Sequence, residues 1–351
     1  MTSEVVTAQE RAALRLSERM GKPANLWRDA WERLLRNRAA MLGGIVVVLL
    51  IIGAILAPRI APYDYAEGDS EEAYTVPRWL IGLLPSYVGA YAKTGDKFLL
   101  GSDYLGRDML SRLVYGMRVS LPVGLVGAMT AFVIGIVYGS ISGYYGGRVD
   151  NIMMRIVDIL YAFPTTLLII LMMAFFKSTF AIVEPGTLSY TFNQVNDVVD
   201  RFLGLQGGGM LFIFMGIGMT AWMGMARLAR GQILSLKEKE FIEAAHMIGA
   251  GDMRIIVRHI LPNIIGPCIV SQTLTIPVYI NYEVFLSFIG LGVDPPTPSW
   301  GAMISDGAQS LRSYPHMVLF PALALAITMF AFNFLGDGLR DALDPKMKGT
   351  S

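Results

Sequence analysis

Six runs of 18 residues or more carry no Lys, Arg, Asp or Glu, and they constrain this 351-residue chain more than any other feature. They cover 39–58, 119–147, 159–176, 202–226, 259–282 and 313–336. A helix needs roughly 20 apolar residues to cross a hydrocarbon layer of about 30 Å. In lipid, a helix also satisfies its own backbone groups, so the runs read as spanning helices and not as strands. Only 16% of the residues are charged, against about 25% in a soluble protein, which leaves too little polar surface to coat a water-soluble particle. The sequence is that of an all-α polytopic membrane protein with six transmembrane helices, resident in a lipid bilayer.

The runs divide the chain. A segment at 1–38 precedes the first span, 39–58, and a polar loop follows at 59–118. A core of five spans occupies 119–336, with a polar insert at 177–208 and a second polar loop at 227–262. A tail closes the sequence at 337–351. The fifth run can extend past Glu283 to Val293. An even number of spans puts both termini on one side of the membrane. If that side is the cytoplasm, inner segments hold 19 Lys and Arg and outer segments 10, as the positive-inside rule requires. Trp27, Trp31, Leu34 and Leu35 recur at helical spacing beside arginines, which fits an interfacial helix or simply an anchor for the first span. Charge in 1–38, with Pro58 directly after Ala57, is poor context for a cleavable signal.

Gly127, Ala131, Gly135, Gly139 and Gly143 place a small residue at every fourth position of the second span, a stripe that lets another helix backbone approach. Gly216, Thr220 and Gly224 repeat it in the fourth. Prolines 122, 164, 262, 267, 277 and 321 lie in or at the ends of spans, where they start or kink helices. Glu283 interrupts the fifth run, where a charge is costly unless paired or hydrated. Two readings stay open: with Asn281 it lines a translocation path, or its carboxylate is hydrogen-bonded near Asn281 or Tyr282 as a structural group.

The loop at 227–262 is the most informative stretch. Ser235-Leu-Lys-Glu238 has capping-box form and predicts a helix from Leu236. That helix should stop at Gly249, a residue suited to the left-handed conformation. Asp252 fits the N-cap of a second helix over 253–260, ending at Leu261-Pro262. Ala244 and Ala245 are small enough for the first helix to enter a partner's groove, with Phe241, Met247 and Ile248 offering apolar contact and Glu243 fixing register. Packing against the chain's own membrane domain is the equal alternative on patterning alone.

Glu243-Ala244-Ala245, Gly249 after three intervening residues, and His259-Ile260-Leu261-Pro262 beyond it resemble the EAA loop of ABC importer permeases. His259 departs from the general pattern, which prefers Ile there, and matches the peptide-importer branch. The stretch Leu100-Gly-Ser-Asp103-Tyr-Leu-Gly106-Arg107-Asp108 with Ser111-Arg112, the stretch from Leu286 to Gly301, and Gly336 to Pro345 resemble the same dipeptide and oligopeptide permeases of C-subunit type. The likeness covers about residues 28–346. It implies a type I ABC importer permease fold and an ATPase-coupling role for Glu243, Ala244, Ala245, Gly249, Leu261 and Pro262. It also implies a sister permease, two ATP-binding ATPase subunits and an extracytoplasmic substrate-binding protein as partners. Both termini would be cytoplasmic, in a prokaryotic inner membrane. Cargo would be peptide, with nickel chelates or oligosaccharides as alternatives within the branch. The insert at 177–208 is longer than usual; its Glu184, Tyr190, Phe192, Asp197 and Asp200 either contact a partner or form a plain loop.

No G-x-x-x-x-G-K-[ST] segment occurs, so ATP with magnesium is expected on the partner ATPases and no cofactor on this chain. One cysteine, Cys268, excludes an internal disulfide, and three dispersed histidines give no metal site. A net charge of +1 without a basic stripe gives no case for nucleic acid. No catalytic residue is expected. An ion-driven secondary transporter should show repeated halves or several mid-membrane charges, and an intramembrane enzyme at least two polar groups arranged within spans; neither pattern is present.

Overall fold

A computed structural model describes residues 26–84, 86–89, 91–180 and 186–343. Within these, a short helix α1 (Leu26–Arg36) leads into α2 (Arg38–Ile60), and α3 runs unbroken from Met109 to Tyr145. Then come α4 (Gly147–Tyr161), α5 (Thr165–Thr179), α6 (Leu188–Phe202) and α7 (Met210–Lys237). The short α8 (Glu240–Met247) precedes α9, continuous over Asp252–Phe288, then α10 (Trp300–Ala308) and α11 (His316–Leu343). Five helices (α2, α3, α7, α9 and α11) are long and apolar enough to cross a membrane. A sixth crossing exists if α4 and α5 count as one.

That pair corrects the third expected span. Residues 159–176 do not form one rod; α4 and α5 meet at 82°, with Pro164 as the N-cap of α5. An apolar run records composition but not direction, and a proline both sets its own φ and biases its predecessor away from helix. The fourth span starts at Met210, not Phe202, because Phe202 ends α6 and a glycine-rich turn follows. The fifth helix stops at Phe288 and does not reach Val293.

The core lies where α3, α7 and α9 meet. Gly139 of α3 lies against the Ala226 carbonyl and Ala229 of α7, and Gly143 against Arg230 and Ile233. Higher up, Gly127 abuts Tyr279 of α9 and Ile217 of α7. The second stripe points elsewhere: Gly216 faces Met173 of α5, and Gly224 faces the Tyr161 hydroxyl of α4. Arg230 adds a two-pronged bridge from α7 to Asp150 of α4, both N···O distances 2.5 Å, which Ser142 joins. The first helix α1 buries Ala30 and Leu34 in one cluster with Ala40 and Ala342, while Trp31 stays exposed.

The 59–118 loop is an ordered cap. Strands β1 (Val76–Pro77) and β2 (Thr94–Gly95) pair in parallel, Tyr74 stacks on Tyr314, and Tyr63 meets Phe98 edge-on. In the insert, buried Asp200 accepts backbone hydrogen bonds from Gly208, Gly209 and Met210. Burial raises its pKa above the usual aspartate value, with those hydrogen bonds pulling it back. Phe192 packs on Phe180, while Tyr190 and Asp197 point outward; Glu184 lies outside the described residues.

Candidate functional site

The far end of the bundle from the cap carries the 238–251 hinge. The capping-box expectation fails there: α7 passes straight through Ser235 to Lys237, and α8 starts only at Glu240 with Lys239 as its N-cap. Tertiary contacts outweigh the local motif, since Ile233 is buried under α8 and Lys237 Nζ donates to the Tyr144 carbonyl at 2.7 Å. Gly249 does close α8, with φ of +81° and open space around it, a conformation that disfavours any residue with a Cβ.

The second expected helix also differs. Asp252 is its first residue, not its cap, and its carboxylate accepts a hydrogen bond from the Tyr144 hydroxyl at 2.9 Å. The helix does not end at Leu261-Pro262. One wide π turn over Ile256–Ile260, in which the Leu261 N–H bonds to the Ile256 carbonyl, carries it on into the fifth span. A π turn shifts the hydrogen-bond register, and that makes room for the Pro262 ring inside a continuing helix.

As a result α8 has two faces. Ile242 and Ala245 are buried in a cluster with Ala229, Ile233, Ile255, Ile260 and Cys268. Glu243, Ala244 and Phe241 point outward, and Met247, Ile248 and Met253 are 88%, 85% and 73% exposed around the Gly249 turn. The two alanines are therefore divided, Ala245 holding the bundle and Ala244 facing out. Leu261 is half-buried and Pro262 exposed where α9 rises from the hinge. Side chains of Met and Ile this exposed, clustered on one hinge, mark an interaction surface more than a solvent face.

A cavity of about 320 Å³ opens between α4, α7 and α9. Its polar lining includes Tyr161, Thr220, Ser271, Gln272, Thr275 and Tyr282, and among the described residues no Asp, Glu, Lys or Arg contributes. The Gln272 side-chain oxygen is buried without a hydrogen-bond partner among the described residues. Sequence reading missed this site because each polar residue is unremarkable alone; only the packing of three helices brings them together. Serine, threonine and glutamine within apolar runs were the available signal.

Glu283 sits on α9 with no exposure, turned into the chain. Its carboxylate accepts from Ser287 at 2.7 Å and from Ser120 of α3 at 3.2 Å, and Ser120 in turn accepts from the Trp300 N–H. Its partners are thus serines and not Asn281 or Tyr282. Asn281 is exposed on the same helix, and neither Glu283 nor Asn281 lines the 320 Å³ cavity.

Residues 135–349 match the family model described as binding-protein-dependent transport system inner membrane component. The chain belongs to that family.

Residues 25–77 match a second model, the N-terminal TM domain of oligopeptide transport permease C. Oligopeptide transport system permease protein OppC of Haemophilus influenzae is 39% identical over 338 residues, covering 96% of this chain and 94% of that protein. OppC of Escherichia coli (strain K12) is 42% identical, covering 92% of each. Dipeptide transport system permease protein DppC of Bacillus subtilis is 38% identical, covering 91% of this chain and 86% of its own. Among solved structures, a chain of the MetNI methionine ABC transporter in inward facing conformations superposes with a TM-score of 0.50 at 18% identity. It covers 67% of this chain and 98% of its own length, a likeness of fold. The family member described here has the type I ABC importer permease fold; it is a multi-pass inner-membrane component of an ABC importer and not a catalyst.

Proposed function

We propose that this permease forms, with a sister permease, the path by which short peptides enter the cell, and that α8 couples that path to two separate ATPase subunits. The observation that carries the coupling is the two-faced α8: Ala245 and Ile242 anchor it to α7 and α9, while Ala244, Met247 and Ile248 face outward. An apolar helix of this kind fits a groove on a partner. The π turn keeps α9 continuous from Asp252 into the span, so a push on α8 crosses only the short 248–251 turn before it reaches α9. Glu243, Ala244, Ala245, Gly249, Leu261 and Pro262 are the coupling residues in this reading. Nucleotide bound to the ATPases acts by favouring one of two permease conformations. The hinge is cytoplasmic, with both termini, and the cap faces outward to meet a substrate-binding protein.

Peptide cargo is supported by the relatives' names and by the chemistry of the cavity. Hydroxyl and amide groups complement a peptide backbone, and a lining without charges treats side chains of either sign alike. The path in this reading runs past Gln272 and Thr220, with Asn281 near its exit and Glu283 bracing α9 to α3 from behind.

Glu243→Lys and Gly249→Pro test the coupling. Each variant is expected to insert and to co-purify with the sister permease while ATP hydrolysis no longer drives uptake in proteoliposomes. Normal uptake by both refutes α8 as the transmitter. A thiol introduced by Ala244→Cys should crosslink to an ATPase subunit, with buried Cys268 as the silent background.

A further inference from the structure

A second cavity, of about 380 Å³, lies beneath the cap, at the end of the molecule opposite α8. Arg107 and Arg112 reach it from the segment that opens α3, and Asp306 of α10 reaches it from the other side. Both arginines are more than nine-tenths buried. Each has its Nε turned to Asp103, at 2.7 and 3.5 Å, and Arg112 Nη1 donates to the Tyr65 carbonyl at 3.2 Å and to the Pro296 carbonyl at 3.4 Å. The Nη2 atoms of both converge on one Asp306 oxygen, but from 3.9 Å, beyond hydrogen-bond distance. Asp103 is meanwhile saturated, since its other oxygen accepts from the Leu105 and Arg107 N–H groups.

A purely structural ion cluster closes to hydrogen-bond distance and leaves no void, because buried charge is tolerated only when well paired. Here, among the described residues, the Nη2 groups of both arginines have no acceptor nearer than that 3.9 Å. The acid opposite them is a third exposed. Were Asp306 to leave, one net positive charge and two convergent N–H forks would remain. That is the donor set for a carboxylate.

We propose that this cavity is a carboxylate subsite in which Arg107 and Arg112 take the free carboxyl terminus of a short peptide, displacing Asp306. The proposal rests on the peptide-importer reading for its ligand, and on the geometry alone for its chemistry. The volume falls in the range of small-molecule sites, room for a carboxylate and the residue that bears it. Asp306 acts as an internal stand-in, keeping the arginines neutralised between cargo molecules. Burial holds its pKa above the ordinary aspartate value, with the two arginines pulling it back.

Asp306→Cys tests this in the full-length chain in lipid nanodiscs. The substitution removes the stand-in and supplies a reporter thiol, and Cys268 is fully buried and does not compete. Trialanine should slow labelling of the introduced thiol by a neutral maleimide about tenfold more than trialanine amide does, the worth of a charge-assisted hydrogen-bonded pair. Adding Arg107→Gln should abolish the difference. Should that double variant misfold, Arg107→Lys keeps the charge but not the fork, and should weaken protection. Equal protection by acid and amide, or none by either, overturns the proposal. So does protection given only by the substrate-binding protein, which would assign the carboxylate to a protein side chain. The measurement needs no ATP, ATPase or sister permease. Loss of peptide uptake in the assembled transporter would sink the importer reading without touching this result.

Discussion

Gly135 makes the closest test of how α3 and α7 are held together. A Cβ built there lies 2.5 Å from Met225 Cβ, 2.7 Å from Met225 Cγ and 2.8 Å from the Trp222 carbonyl. Ordinary contact begins near 3.4 Å, so Gly135→Ala forces the helices about 0.9 Å apart (3.4 minus 2.5). A rotamer change can move Met225 Cγ, but not Met225 Cβ or the Trp222 carbonyl. Overpacking of this kind costs about 1–3 kcal/mol, and the rigid neighbours argue for the upper part of that range. Replacing glycine by alanine within a helix returns about 1 kcal/mol. Gly231 of α7 supplies the control, with nothing within 4 Å of its added Cβ, so Gly231→Ala should show the propensity gain alone. Subtracting one variant from the other cancels propensity and leaves the clash, a gap of about 1–3 kcal/mol. The assay is unfolding of the purified chain in mild detergent titrated with sodium dodecyl sulfate, comparing midpoints across wild type and both variants. Equal shifts for Gly135→Ala and Gly231→Ala would refute close backbone contact between α3 and α7.

Other outcomes follow from the same geometry. Gly139→Leu, which drives a side chain into the Ala226 carbonyl and Ala229, should impair ATP-coupled uptake as well as stability; unaltered coupling in proteoliposomes would make the stripe mere packing. Arg230→Gln, losing a two-pronged contact with Asp150, should destabilise the chain by about 1.5–3 kcal/mol in the same unfolding assay. Arg227→Gln, at a pair roughly half exposed on both sides, should cost under about 1 kcal/mol. For Asp200 the folded pKa is raised, so the folded state holds its proton more tightly than the unfolded chain. Its contribution is greatest below the unfolded pKa and is lost as pH rises through the folded value. Stability of wild type relative to Asp200→Asn should therefore fall as pH climbs from about 4, and a flat difference would show that burial does not perturb this carboxyl.

The spans were legible because hydrophobic composition alone decides which segments enter lipid. The cavity and the hinge were less so, for a different reason in each case. Pro164 was visible in the sequence, yet nothing there says whether a proline kinks a span slightly or turns the chain by 82°; that depends on what α4 and α5 pack against. Ser235 and Glu238 formed a correct local motif in a place where Ile233, Lys237 and Tyr144 had already committed the backbone to α7. Pro262 was a reasonable helix stop until a π turn admitted it. Gly249 was read correctly because a positive φ is a local demand that one residue type meets, whatever surrounds it. The motif around Arg107 was seen as a likeness only, since the meeting of Arg107 and Arg112 with Asp306 spans almost 200 positions of sequence and exists only after folding.

The failed expectations at Ser235 and Pro262 have a mechanical meaning. Had the hinge been two capped helices on flexible joints, motion at α8 would dissipate in the loop. With α7 running to Lys237 and α9 starting at Asp252, α8 instead hangs between two rigid spans that also wall the 320 Å³ cavity. In the proposed reading, displacing α8 tilts α7 against α9. Thr220 lies on the first of these helices and Gln272 on the second, so the same tilt changes the distance between their polar groups across the cavity. Disulfide trapping across Thr220→Cys and Gln272→Cys should therefore proceed at different rates with and without nucleotide in the assembled transporter. Identical rates would mean that the hinge moves without moving the cavity wall, and the link from α8 to the path would fail.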